Sequence, residues 1–265
     1  TVNAEVGSSG TYYALVNNSY DTDDYTIIYT LSSTTGARET ESNNTIATAD
    51  DITSGAAIAG QTSSSSDDDY YKLVLSAAGT ISVAFNDGDG SAYSDHDVSI
   101  VDASGNILSK KSIYESGTVA AEVGSSGNYF VLIDNSYDME DYSLTATYSS
   151  TTGARETETN NTIATADTLT QGSTITGQTY SSSDNDVFKA DISGPSTARF
   201  TFESNGNDYS SHTVSVYNSD GTAITSGRVN GNTSIDLTFT EATTIYGIIS
   251  NSYDSDDYTI KYDIL

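Results

Sequence analysis

The chain contains no cysteine and no tryptophan, and one proline and one methionine among 265 residues. Without cysteine there is no disulfide and no thiolate metal site. Export is not thereby excluded, because bound metal ions can take over the role of disulfide staples. Basic residues are scarce: nine Lys and Arg face 37 Asp and Glu, a formal charge of −28. A surface of that sign attracts neither nucleic acid nor anionic lipid. It suits a salty, calcium-containing medium, where repulsion is screened and carboxylates gain counterions. No apolar run approaches the ~20 residues that cross a bilayer. No leader peptide is recognisable, so a secreted protein would be represented by a mature piece. The only histidines are His96 and His212. A catalytic histidine needs a nucleophile or acid partner, and no Gly-x-Ser-x-Gly elbow, acid–base pair or cofactor loop accompanies either. No enzyme is expected, and no zinc site.

What the chain does have is repetition. Thr34 to Asp50 reads Thr-Thr-Gly-Ala-Arg-Glu-Thr-Glu-Ser-Asn-Asn-Thr-Ile-Ala-Thr-Ala-Asp, and Thr151 to Asp167 repeats it with Thr159 in place of Ser42. The offset is 151 − 34 = 117. Each copy packs two glutamates and two asparagines into six residues, Glu39 to Asn44 and Glu156 to Asn161. About twenty residues later comes an acidic run, Asp67-Asp68-Asp69 or Asp184-Asn185-Asp186. Hard oxygen ligands drawn from two places in the chain are what a calcium ion (Ca2+) needs. A solvated linker with a helix cap would not require the distant aspartates.

Tyrosine (20) and glycine (21) are abundant, the palette of short strands and polar turns. Tyr142, Leu144, Ala146 and Tyr148 alternate with polar residues, as do Tyr25 to Leu31 and Tyr258 to Ile264, predicting a half-buried closing strand. The strand before it is almost continuously apolar (Tyr12 to Val16, Tyr129 to Ile133, Ile245 to Ile249), which predicts a central position. Ile81/Val83/Phe85, Val98/Ile100 and their counterparts add further strands. The count is about eight or nine per module, so the fold class is all-β, with tandem sandwich modules of about 117 residues. One helical turn is expected at Thr45 to Asp50, capped by Asn44 or Thr45.

The domain reading follows. Residues 1–33 are the C-terminal strands of a preceding or incomplete module; 34–150 and 151–265 are whole modules. Ser32 to Gly36 and Ser149 to Gly153 read as short polar linkers. The loops Asp21-x-Asp23-Asp24, Asp138-x-Glu140-Asp141 and Asp254-x-Asp256-Asp257 are candidate second calcium sites, or hairpin connections with the acids in water. Asp87-Gly-Asp89-Gly90 is read as a turn, because Ser204-Asn-Gly206 replaces it in the second module.

The string Glu-Thr-Glu-x-Asn-Asn-Thr-Ile-Ala-Thr-Ala-Asp, then Gly60-Gln61 or Gly177-Gln178, then Asp-x-Asp before Tyr70-Tyr71 or Val187-Phe188, and finally an Asp-Tyr-Thr-Ile strand, resembles the bacterial pre-peptidase C-terminal domain family. That family is related to the collagen-binding domains of bacterial collagenases. The resemblance implies a jelly-roll-like sandwich outside the cell, with calcium shared by the opening acidic segment and the Asp-x-Asp run. By matching position, the implied ligands are Glu39, Glu41, Asn43, Asn44 and Asp69, and Glu156, Glu158, Asn160, Asn161 and Asp186. Where the collagenase-type pattern has an aspartate three residues before the last one, this chain has Ser66 and Ser183. Asp67 and Asp184, one residue away, are the substitutes. Asn44 and Asn161 stand where the family often has aspartate, which implies a less charged, weaker site.

Two functional expectations result. The first is a calcium-stabilised repeat segment of an extracellular structural protein, such as a cell-surface filament or adhesin stalk. Its partners would be neighbouring modules or copies of the same protein, through end-to-end strand pairing by residues 1–33. The second is a surface- or substrate-binding module of a secreted hydrolase, recognising extracellular polysaccharide or protein. An exposed flat aromatic patch would favour the second; tyrosines buried in the sandwich would favour the first.

Overall fold

The computed structural model describes residues 2, 4, 6–17, 24–33, 35–87, 96–135, 141–204, 212–251 and 256–265. Module 1 comprises β1 (Ala37–Arg38), β2 (Asp50–Asp51), β3 (Ala57–Gln61), β4 (Asp69–Leu75), β5 (Gly79–Asp87), β6 (His96–Asp102), β7 (Ile107–Ile113), β8 (Ser116–Val123), β9 (Gly127–Asn135) and β10 (Asp141–Ser150). Two five-stranded sheets result, ordered β1-β3-β10-β5-β8 and β2-β4-β9-β6-β7. Module 2 repeats the plan with β11 (Ala154–Arg155), β12 (Asp167–Thr168), β13 (Thr174–Thr179), β14 (Asn185–Ile192), β15 (Ser196–Ser204), β16 (His212–Asn218), β17 (Ala223–Val229), β18 (Thr233–Phe239), β19 (Thr243–Asn251) and β20 (Asp256–Ile264). Its sheets run β11-β13-β20-β15-β18 and β12-β14-β19-β16-β17. The all-β, tandem-sandwich expectation stands.

Alternation builds each core. Ile81, Val83 and Phe85 from β5, Val98 and Ile100 from β6, Val131 and Ile133 from β9, and Leu144 from β10 are all buried together. Each such side chain contributes roughly 1.5–3 kcal/mol on burial. The continuously apolar β9 pairs with both β4 and β6, as a central strand should. Among the described residues, ten strands per module replace the eight or nine read from the sequence. The extra ones include β1 and β2, which hold two residues each and pair in parallel with β3 and β4, too short for any alternation to register.

Three other expectations change. The helical turn is a 3-10 turn, Ile163–Thr165, preceded by Thr162, with Thr162 Oγ1 2.9 Å from Thr165 Oγ1. Thr45 and Thr48 make the same contact at 2.8 Å, so threonine rather than Asn44 caps it. Ser149 and Ser150 do not form a free linker: they pair with Thr80 and Gly79, and Thr151 N–H donates to Ala78 O at 3.1 Å. Module 2 therefore starts directly from the ladder of module 1.

The third change concerns residues 1–33. Strands were expected over 12–16 and 25–31, and no strand forms there among the described residues. Val16 is 47% exposed and Ile27 51%, whereas their counterparts in the second copy of this sequence, Ile133 and Leu144, are 0% and 1% exposed. The reason is partnership. A strand like β9 needs neighbours like β4 and β6, and one like β10 needs β3 and β5. In module 1 all four are already paired with β9 or β10. A strand without a ladder leaves its backbone groups to water.

Candidate metal centre

In module 1 the short parallel strand β1 carries the chain alongside β3, and Glu39 follows it, its N–H donating to Ala59 O at 3.0 Å. Glu39 is thereby driven inward and is 4% exposed. Its Oε1 accepts the Gln61 N–H at 2.5 Å, and its Oε2 accepts the Tyr71 hydroxyl at 2.7 Å. Asp69, the first residue of β4, is fully buried, and its Oδ2 accepts the Tyr142 hydroxyl at 2.5 Å. Carboxylate oxygens of Glu39, Glu41 and Asp69 all lie within 4.8 Å of one another. Gly60 makes room for this arrangement: a Cβ there would stand 2.5 Å from the Tyr71 hydroxyl oxygen.

Module 2 rebuilds the cluster from Glu156, Glu158 and Asp186, again within 4.8 Å. Glu156 Oε1 accepts the Gln178 N–H at 2.5 Å. Tyr258 Oη lies 2.9 Å from Glu156 Oε2 and 2.6 Å from Asp186 Oδ2. Phe188 occupies the place of Tyr71, so this cluster lacks that second hydroxyl.

The remaining expected ligands divide. Asn43 and Asn160 are fully buried, and the Oδ1 of each accepts no hydrogen bond. The Asn43 side chain lies against the Glu39 carboxyl, and Asn160 Nδ2 is 3.3 Å from Asp167 Oδ2. Asn44 donates from Nδ2 to Asp67 Oδ1 at 2.9 Å, and Ser63 N–H fills Asp67 Oδ2 at 2.7 Å. Asn44 thus clamps Asp67, and both oxygens of Asp67 have partners. Asn161 Oδ1 accepts the Asn185 N–H at 3.2 Å. Asp184 keeps one buried oxygen, Oδ1, without a hydrogen bond, while Oδ2 accepts the Tyr180 N–H at 2.8 Å.

The electrostatics are strained. A tyrosine hydroxyl has one proton to give, yet Tyr258 stands between two carboxylates. Burial pushes Asp69 up to about 9, with Glu39 close by adding to the effect. Burial and then Asp67 raise Glu41 to about 7; burial and then Asp184 raise Glu158 to about 8. Burial raises Asp184 to about 6, and pushes Glu156 and Asp186 well above the usual carboxylate range. Buried acceptor oxygens of Asp69, Glu158 and Asp186 receive no hydrogen bond. Buried polar atoms are nearly always satisfied, and several convergent, all-oxygen orphans fit a hard divalent cation. These two clusters can hold a metal ion.

The sequence reading missed Tyr142 and Tyr258. Their recurrence at the head of each closing strand was the available signal, masked because alternation already accounted for them as core. It also missed the Gln61 and Gln178 backbone N–H groups. Asp50 and Asp167 were missed too; each brackets the opening segment by accepting the N–H of Thr40 or Thr157 at 2.6 Å. His96 and His212 are fully buried beside rings, 5.1 Å from Phe85 and 5.2 Å from Phe202 between centroids, which is packing. Of the second-site acids, Asp21, Asp23, Asp138, Glu140 and Asp254 and the Asp256 side chain lie outside the described residues, as does Asp89. Asp141 and Asp257 accept the side-chain amides of Gln61 and Gln178 at 2.7 and 3.0 Å.

No family model and no curated protein matches the chain. Among solved structures it is similar at 14% identity to the pre-peptidase C-terminal domain of collagenase from Bacillus anthracis, over 37% of this chain and 94% of that one, with a TM-score of 0.32. It is also similar at 10% identity to the N-terminal tandem CBM22 domains of a Paenibacillus barcinonensis protein, over 77% of this chain and 83% of that one, TM-score 0.27. Among the described residues no helix is long and apolar enough to cross a membrane.

Proposed function

We propose that this chain is a calcium-stabilised repeat segment of an extracellular structural protein, in which tandem sandwiches act as a stiff connector rather than as a catalyst. One observation carries the reading: the same three-carboxylate cluster, with buried oxygens lacking hydrogen bonds, recurs in both modules. Calcium is the preferred ion because the donors are all oxygen and include amide carbonyls, a set too varied for the octahedron magnesium demands. The acidic surface agrees with a salty, calcium-rich extracellular medium.

The reading as a binding module of a secreted hydrolase has less behind it. Within the described parts of the two modules, Tyr114 is the one strongly exposed aromatic side chain, so they offer no flat aromatic face.

Isothermal titration with calcium and thermal melts test the proposal. The ion binds the folded form, so a hundredfold excess over Kd adds about 2.7 kcal/mol per site. For modules of this size that is a rise of about 10 °C in Tm, removed by chelator. Melts that ignore both calcium and chelator would reject the cation, and with it the calcium-stabilised part of this reading.

A further inference from the structure

One seat is used twice in this chain, by the turn of module 1 on module 2 and by residues 6–12 on module 1. Glu122 of β8 forms a buried ion pair with Arg155 of β11, and Glu122 Oε1 also accepts the Thr80 hydroxyl at 2.8 Å. The turn that follows β8 lies against the opening of module 2. A Cβ on Gly124 would overlap the carbonyl oxygen of Glu156 and approach Thr157 Oγ1 to 2.9 Å. The turn is held in shape by Tyr129, whose hydroxyl donates to Ser125 O at 3.1 Å. Turn and opening enclose a cavity of about 220 Å³, lined in part by Ser126, Asn128, Thr157 and Glu158.

Residues 6–12 repeat this turn on module 1. A Cβ on Gly7 would overlap the Glu39 carbonyl oxygen, the counterpart of Glu156. The Tyr12 hydroxyl donates to Ser8 O at 2.6 Å, the counterpart of the Tyr129 bond. So this stretch, although its neighbours form no strands, keeps the turn's form and its seat. In module 2 the ladder register of β15 with β18 puts Thr238 where Glu122 stands, and hence Thr240 where Gly124 stands. Glu241, Ala242 and Ile245 replace Ser125, Ser126 and Tyr129.

We propose that this turn is a directional module-to-module connector. The turn Val-Gly-Ser-Ser-Gly-x-Tyr, with the glutamate before it, is the donor, and the Arg-Glu opening strand of the next module is the acceptor. The occupant of the module 2 acceptor is the turn of module 1, and residues 6–12, which carry the same turn, occupy the module 1 acceptor. The distal turn of module 2 is not a donor: it lacks the glutamate for the ion pair and the glycine for the close approach. The interface is heterologous, head to tail, so it sets the order of modules as well as their angle. The inference rests on the reading of these modules as a connector, but not on the cation.

The absence of cysteine allows a clean test on the full chain. Val74 and Ile224 are exposed strand residues, one in each module. Val74→Cys and Ile224→Cys, spin-labelled together, report the inter-module distance by pulsed electron resonance. A single narrow distribution is expected. Gly124→Val and, separately, Arg155→Ala should broaden it severalfold, while Thr240→Val, which puts valine at the matching position of the distal turn, should leave it narrow. Near-UV circular dichroism of each variant shows whether the sandwiches remain folded; Arg155→Ala, outside either core, serves where Gly124→Val does not fold. A broad distribution in the parent, or narrow ones in both Gly124→Val and Arg155→Ala, overturns the connector. Calcium-dependent melting of the same samples reads the cation separately. A normal calcium response with variant-insensitive distances sinks the connector alone, and variant-sensitive distances without a calcium response sink the cation alone.

Discussion

The two acidic clusters share one seventeen-residue opening yet differ in surroundings. In module 1, Glu41 is exposed and Tyr71 adds a hydroxyl to Glu39. In module 2, Glu158 is partly buried, both its oxygens lack hydrogen bonds, and Phe188 removes the second hydroxyl. Glu158 also lines the cavity closed by the preceding turn. Burial is the first cause that raises this glutamate in both modules, to about 7 and about 8, with Asp67 or Asp184 of the same module next. Desolvation acts through excluded water, not contact alone.

The largest expected effect breaks this comparison directly. Glu158→Gln and Glu41→Gln should each remove most of the calcium-dependent stabilisation of their own module, about 2–3 kcal/mol at saturating calcium. In chelator the sign reverses. Removing an uncompensated charge should then raise Tm, and more so for Glu158→Gln than for Glu41→Gln. Equal effects of the two variants in chelator, by differential scanning calorimetry, would deny that the clusters differ.

A smaller effect lies in pH. Each raised carboxyl binds its proton more tightly folded than unfolded, where values near 4 apply. Its stabilising contribution without metal is complete below about pH 4. It is lost as pH rises through Asp184 at about 6, Glu41 at about 7, Glu158 at about 8 and Asp69 at about 9. Melts in chelator should fall steadily across that window. With calcium the fall should flatten, since the ion competes better as protons leave. Parallel curves with and without calcium would contradict the assignment.

The smallest effect sharpens the Tyr71–Phe188 difference. Tyr71→Phe makes module 1 resemble module 2 and deletes the hydroxyl that bonds Glu39 at 2.7 Å and Tyr142 at 2.6 Å, a loss of about 1–2 kcal/mol. Hydrogen exchange followed by mass spectrometry should show faster opening in β3 and β4 and no change in β13 and β14. Changes spread over both modules would mean that the bond is not local.

The site was legible in outline. Glu39, Glu41 and Asp69, with their counterparts, announce themselves because carboxylates crowd in sequence for no apolar reason. Asn44 and Asp67 were read as ligands, whereas in the structure Asn44 donates to Asp67, a bond that depends on the meeting of two loops. Tyr142 could not be singled out, because the alternation that buries a side chain does not reveal which end of it meets an acid.

By itself the sequence determined the module length, the all-β class and the faces of the strands, since period-two alternation and exact repetition are local properties of the chain. Tertiary structure decided which of the copies become strands. Residues 12–16 and 129–133 carry the same apolar run, and 25–31 and 142–148 the same alternation, yet among the described residues only the later copies are strands. A strand's hydrogen bonds belong to its neighbours as much as to itself. Those neighbours lie far away in the chain and can each be used only once.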